Sequence, residues 1–162
     1  MTKTVSSAEI KKRVQSLSDA CRDAGLRMTQ QRLEIFRAVA RTGEHPDAET
    51  VHTRVRRRLP NISLDTVYRN LAQLEHLGLL SRVDLLCGRA RFDANSDHHH
   101  HFVCVVCERV IDIYLSEEET LSLPRQSNRF GEAASLHLQV RGVCNDCQKK
   151  KKKSKPRGDS PL

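Results

Sequence analysis

Through the first eighty positions, apolar residues recur at three- and four-residue steps, and beyond them the period changes to two. Ile10, Val14, Leu17 and Cys21 form the first helical stripe, with Ser6-x-x-Glu9 as a capping box at its start and Gly25 at its end. A second helix is expected from Thr29 to Thr42, burying Leu33, Phe36 and Val39. A third starts near Asp47 and carries Val51, Val55 and Leu59 until Pro60 stops it. Ser63 is a good N-cap for a fourth, whose apolar face holds Leu64, Val67, Leu71 and Leu74 before Gly78.

Leu79–Asp93 (LLSRVDLLCGRARFD) then reads as a hairpin turning near Cys87-Gly88. Helices followed by a two-stranded hairpin are the plan of a winged helix-turn-helix, in which the fourth helix enters the major groove. Its polar face suits that use: Asp65, Arg69 and Gln73 point outward, flanked by Thr66, Tyr68 and Asn70. Further on, HFVCVVC and RVIDIYL form a strand pair across Glu108-Arg109. Ser116–Leu123 (SEEETLSL) reads as a short helix with acidic residues at its start, and Leu136, Leu138 and Val140 alternate along a last strand. A three-stranded sheet with one apolar face open would pair readily with a second copy. The fold class is α+β: an N-terminal winged helix-turn-helix, then a small α/β domain with a three-stranded sheet.

Charge sharpens this division. The 162 residues carry a net +8, made of +6 over 1–82 (15 Lys/Arg, 9 Asp/Glu), −4 over 83–147 (6 against 10) and +6 from Gln148 onward (7 against 1). A basic, independently folding front half points to double-stranded DNA more strongly than a basic tail does. No apolar run approaches a membrane span and the first residues lack a signal-like core, so a cytoplasmic protein without a membrane partner is expected.

Six cysteines in such a chain favour metal over disulfides. Cys104/Cys107 and Cys144/Cys147 form two C-x2-C pairs separated by 36 residues, a set of four thiolates suited to a closed, structural zinc site. Cys21 falls on a core face, and Cys87 stands alone. Four histidines, His98–His101, precede the first pair. On a strand, His99 and His101 face one way and His98 and His100 the other. Two imidazoles with Asp93 and Asp112 nearby would suit Fe2+, Mn2+ or Zn2+.

GLRMTQQR (Gly25–Arg32), EHPDAETVH (Glu44–His52), SLDTVYRNLAQLEHLGLL (Ser63–Leu80), RFD, SDHHHHFVCVVC and GVCNDC occur in the order seen in ferric uptake regulators. The resemblance covers about Gly25 to Cys147. It implies a homodimeric, metal-dependent repressor of palindromic operator DNA. On its pattern the domains are 1–88 (DNA-binding), 89–97 (hinge) and 98–147 (dimerisation and metal-binding); a basic, disordered tail, 148–162, with the lysine run Lys149–Lys153, lies outside the pattern and is expected to add only non-specific DNA affinity.

The resemblance also implies site residues. Structural zinc falls on Cys104, Cys107, Cys144 and Cys147, and regulatory Fe2+ or Mn2+, for which Zn2+ may substitute, on His45, Asp93, His99, His101 and Asp112. The candidate DNA contacts are Arg27, Thr66, Tyr68, Arg69 and Asn70. Aspartate rather than glutamate at Asp112 resembles the peroxide-sensing PerR branch, where iron-bound protein is oxidised at a histidine ligand, here His45 or His99. A further metal site would use His98, His100 and Glu119, but the last histidine position holds Leu136, and His137 has the wrong strand parity. Glu108 stands where the family commonly has glycine. Within the family the alternative is an iron- or zinc-uptake regulator. A zinc hydrolase is disfavoured because there is no H-E-x-x-H motif or general base, and a metal-storage role because the ligands are few.

Overall fold

Four small polar side chains start the four N-terminal helices. Ser6, Thr29, Asp47 and Ser63 accept the backbone N–H three residues on, from Glu9, Arg32, Thr50 and Thr66, at 3.1, 3.2, 2.7 and 3.1 Å. Each cap satisfies a first-turn amide that no helical carbonyl reaches, and contributes about 1 kcal/mol. The helices are α1 (Ser7–Asp23), α2 (Gln30–Ala40), α3 (Ala48–Arg56) and α4 (Leu64–His76). Gly25 and Gly78, just beyond α1 and α4, take φ of 64° and 69°, the left-handed turn in which glycine carries no side-chain penalty.

The computed structural model describes residues 5–83, 89–116, 119, 121–134 and 136–153. They divide between Asp97 and His98 into two compact units. In the first, Leu17, Cys21, Ile35, Val39, Val51, Val55, Val67, Leu71 and Leu74 form an aliphatic core that also holds two phenylalanines, Phe36 and Phe92. Leu33, expected inside, is only partly buried; Ile35 lies one helical step from Phe36 and Val39 and takes the inner place. Cys21 is a core residue, as its face implied.

Strands β1 (Ser81–Val83) and β2 (Arg91–Asp93) pair antiparallel, Ser81 opposite Asp93, and make the wing. Its expected turn at Cys87-Gly88 lies outside the described residues. The expected hinge, 89–97, therefore contains a wing strand and belongs with the first unit. The backbone N–H of Phe92 donates to Pro46 O at 3.0 Å, which fastens β2 to the loop before α3.

The second unit is a sheet in the order β4-β3-β5: β3 (His100–Cys104), β4 (Val110–Ile113, antiparallel to β3) and β5 (Gln139–Gly142, parallel to β3). A last helix, α5, spans Asn145–Lys153. Gln148–Lys153 is thus helical, unlike the disordered tail expected from 148; lysines at a helix C-terminus complement its dipole. Residues 154–162 lie outside the described set. The helix expected over 116–123 is absent from its described residues. Instead, Glu119 accepts N–H and O–H from Ser116, both at 3.0 Å, in one local turn, and Pro124 precedes a short 3-10 turn at Arg125–Arg129.

Candidate metal centres and nucleic-acid interface

The parallel pairing of β3 with β5 sets their C-terminal ends side by side, Cys104 opposite Gly142, so the turns that follow meet. The four sulfur atoms of Cys104, Cys107, Cys144 and Cys147 lie within 4.8 Å of one another, and Cys107 Sγ is 3.7 Å from Cys144 Sγ. That spacing is far too long for a disulfide. It matches the edge of a sulfur tetrahedron built on zinc–sulfur bonds, about 3.8 Å for bonds of about 2.3 Å.

The first turn is held by hydrogen bonds from Cys104 N to Arg109 O, Val105 N to Gly142 O and Glu108 N to Cys104 O, at 2.9, 2.8 and 2.9 Å. An Arg109–Asp146 ion pair at 2.8 Å joins the two knuckles. Burial opposes ionisation of Cys104, but backbone N–H donors from Cys144, Cys107 and Val106 outweigh it and bring the thiol down to about 6. Cys147 is pushed up to about 12, chiefly by its hydrogen bond with Cys144 and by burial. Burial also pushes Cys107 up. The cluster favours one thiolate and resists the next, so four together call for a compact dication among them. The donors fit zinc.

The histidine and aspartate ligand candidates fall on both units. On the first, His45 and Asp93 are both buried, His45 Nε2 lies 3.7 Å from Asp93 Oδ2, and Asp93 Oδ1 accepts the N–H of Asn95 at 2.9 Å. His45 has a φ of 52°, unusual for a residue with a side chain and more so before a proline, Pro46. Such local strain persists only where surrounding structure imposes it. On the second unit, strand alternation holds: the His99 and His101 rings pair at 4.7 Å, and those of His98 and His100 at 5.1 Å.

His99 Nε2 and His101 Nε2 are 3.0 Å apart, a hydrogen bond in one tautomeric arrangement and also the spacing of adjacent donors on one ion. Asp112 sits directly opposite His101 across the β3–β4 ladder. Nitrogen and carboxylate donors of this kind suit Fe2+, Mn2+ or Zn2+.

The outer face of α4 is polar and accessible. Tyr68 is 47% exposed and the Arg69 side chain 73% exposed, paired with Asp65 at 3.1 Å. Arg27 is also exposed, on the turn before α2. Asn70, expected beside that face, donates from Nδ2 to Thr66 O at 2.8 Å, which ties the amide to its own helix.

The profile of the ferric uptake regulator family matches residues 23–141. This chain belongs to the ferric uptake regulator family. Family members are metal-dependent transcriptional regulators rather than enzymes. The chain is 29% identical over 129 residues to the peroxide-responsive repressor PerR of Staphylococcus aureus, covering 80% of this chain and 87% of that one. Among solved structures it resembles the ferric uptake regulator of Pseudomonas aeruginosa with manganese (30% identity, TM-score 0.62, covering 79% and 97%). It also resembles the peroxide stress regulator of Campylobacter jejuni (25% identity, TM-score 0.59, covering 83% and 98%). Among the described residues of this family member, no helix is long and apolar enough to cross a membrane.

His98, His100 and Glu119, the further metal site weighed from the sequence, do not gather as a donor set among the described residues. His100 is buried, its Nδ1 accepts the N–H of Leu138 at 3.2 Å, and the Glu119 carboxylate is engaged by Ser116. Burial holds His100 below the usual imidazole range, helped by the neighbouring histidines, His98 first and His137 next. The strand-parity argument against His137 fails, because β5 starts only at Gln139 and the His137 ring lies 6.2 Å from His98. Glu108, where the resemblance leads one to expect glycine, adopts a left-handed turn with a φ of 56°.

Two residues escaped the sequence reading. Tyr114 donates its hydroxyl to Asp112 Oδ2 at 3.4 Å and lies 5.8 Å from the His99 ring. It links two ligand candidates in the manner of outer-shell partners at metal sites. Arg32 is buried and donates to Gln73 on α4, although arginine in a helix normally signals surface. The spacing Asp112-x-Tyr114, two residues apart on one strand, could have revealed the first; nothing local reveals the second.

Proposed function

We propose that this protein is a homodimeric transcriptional repressor in the cytoplasm, binding palindromic operator DNA when loaded with Fe2+ or Mn2+ and releasing oxidative-stress genes on exposure to hydrogen peroxide. The observation that carries this reading is aspartate at both carboxylate positions, Asp93 beside His45 and Asp112 opposite His101. This is the ligand choice of the peroxide-sensing branch, and the similarity to the S. aureus repressor supports it.

Each unit carries an incomplete donor set, two residues on the first and three on the second. In our reading these five residues would hold one divalent ion between them, and the units would then keep the arrangement that suits two recognition helices to two half-sites. Bound Fe2+ supplies the electron chemistry that lets peroxide oxidise a neighbouring imidazole, a reaction Mn2+ does not support. His45 and His99 are the imidazoles exposed to that oxidation. Loss of either as a donor would weaken the hold of its unit on the shared ion, leaving Asp93 alone on the first unit or His101 and Asp112 on the second, and the DNA-binding arrangement would lose restraint. The four cysteines hold zinc and keep the second unit folded.

The test compares operator binding by Fe2+-loaded and Mn2+-loaded protein before and after low peroxide. Release of the Fe2+ form alone, with one oxygen added to a peptide holding His45 or His99, is the expected result. Asp112→Glu should keep metal-dependent binding while gaining much less oxygen. A parent that ignores peroxide with Fe2+ bound would instead be an iron- or zinc-uptake regulator. That second reading is favoured by the equally close resemblance to the P. aeruginosa ferric uptake regulator.

A further inference from the structure

A groove separates the start of α2 from the outer face of α4, and its walls include Thr29, Gln31, Arg32, Thr66 and Arg69. Arg32 is only 8% exposed, yet it forms part of this wall. Its guanidinium donates from Nη1 to Arg27 O and from Nη2 to Gln73 Oε1 at 2.6 Å. Both acceptors are neutral. Its Nε is buried without an acceptor among the described residues, and no carboxylate there forms an ion pair with it. Two carboxylates of α2 and α4 are committed elsewhere: Glu34 to Arg37 and Arg58, and Asp65 to Arg69.

A buried cation met only by neutral dipoles leaves its charge uncompensated, and an anion at the mouth of the groove would compensate it. Other groups favour the same occupant. Gln30 and Gln31 carry first-turn N–H groups of α2 that no helical carbonyl reaches, while the Arg32 amide is already capped by Thr29. The positive end of the helix dipole lies there too, and hydroxyls of Thr29 and Thr66 border the space.

We propose that this groove is a phosphate site for the DNA backbone, seating one phosphodiester against the α2 N-terminus and the buried Arg32. The assignment rests on the DNA-binding reading above and adds to it a sequence-independent anchor. Through Gln73 the same arginine is tied to α4, so the seated phosphate fixes the depth and register at which Tyr68 and Arg69 meet the base edges.

The test uses the full metal-loaded chain with Arg32→Met and Arg32→Lys. Arg32→Met should weaken operator and scrambled DNA alike, by about tenfold, and lower the slope of log affinity against log salt by about 0.9 per pocket. Arg32→Lys, a point charge without the guanidinium fork, should keep only part of the slope. Tyr68→Ala, as comparator, should weaken operator binding only. An Arg32→Met protein that loses operator affinity alone, with its slope intact, overturns the proposal in favour of a purely structural role.

Single methylphosphonate substitutions in the operator, tested on the unaltered chain, decide the matter if Arg32→Met does not fold. One neutralised phosphate per half-site should cost affinity in the parent and less in Arg32→Lys; no such phosphate overturns the proposal. If the parent binds no DNA, inorganic phosphate titrated to millimolar levels separates the two failures. Shifts at the Gln30 and Gln31 amides that Arg32→Lys diminishes leave an anion site standing while the DNA reading falls. Unmoved amides overturn both.

Discussion

Glu108 shows how one residue can be held in a backbone conformation that its side chain disfavours. Its φ of 56° lets its N–H reach Cys104 O, and that turn aims Cys107 at the other sulfurs. A side chain in the left-handed region costs roughly 1–2 kcal/mol, partly offset by the greater freedom glycine has when unfolded. Glu108→Gly should therefore raise stability by about 1 kcal/mol without changing the zinc content, as measured by denaturant titration beside metal analysis. An unchanged or lowered midpoint would show that the glutamate side chain contributes elsewhere. His45 has a similar backbone but a buried imidazole beside Asp93, so there the strain accompanies a ligand candidate instead of a surface turn.

At the scale of elements, β3 does the most positioning. It pairs with both neighbours, presents His101 to Asp112 on one side and delivers Cys104 to the second cysteine pair at its end. The sheet has only three strands and few buried side chains, so its stability depends on the cross-link between its ends. Cys104→Ser or Cys144→Ser should release zinc and remove a binding free energy on the order of 10 kcal/mol from folding of the second unit. Hydrogen exchange should then show the β3, β4 and β5 amides unprotected while those of α2 and α4 stay protected. A zinc-free variant with a protected sheet would end the structural role assigned to the metal.

For the whole molecule, the exposed face of that sheet matters most. Ile111, Phe102 and Val140 lie opposite one another across β4, β3 and β5, and Ile111 and Val140 are exposed large hydrophobics. Phe102 packs over Gly142, where an added Cβ would meet the ring at 3.1 Å, so the row has a fixed shape. An apolar row like this, continuous over three strands, suits burial against a second copy. Ile111→Glu should give a monomer in sedimentation and, by removing bivalent attachment, weaken operator binding by at least about a hundredfold. A dimer that survives the charge would mean that another face carries the contact.

Much of this was legible in the sequence because it depends on near neighbours. Caps at Ser6, Thr29, Asp47 and Ser63, apolar spacing on four helices, histidine alternation and two C-x2-C pairs are all local patterns, and apart from Leu33, whose inner place Ile35 takes, each formed as its spacing dictates. The family followed from several such motifs occurring in order. Other features were set by long-range pairing. Parallel register between β3 and β5 decides that Cys104 meets Cys144, and the Pro46–Phe92 hydrogen bond decides that Asp93 meets His45. Among the described residues, the helix expected at 116–123 and the disorder expected over 148–153 both went astray. Ser116 and Glu119 settle into a turn ahead of Pro124, while α5 is anchored at its start by Cys147 and Asp146. Burial of Arg32 is the plainest case: its sequence neighbours would leave an arginine at the surface, and only the approach of α4, bringing Gln73, makes an interior place for its charge.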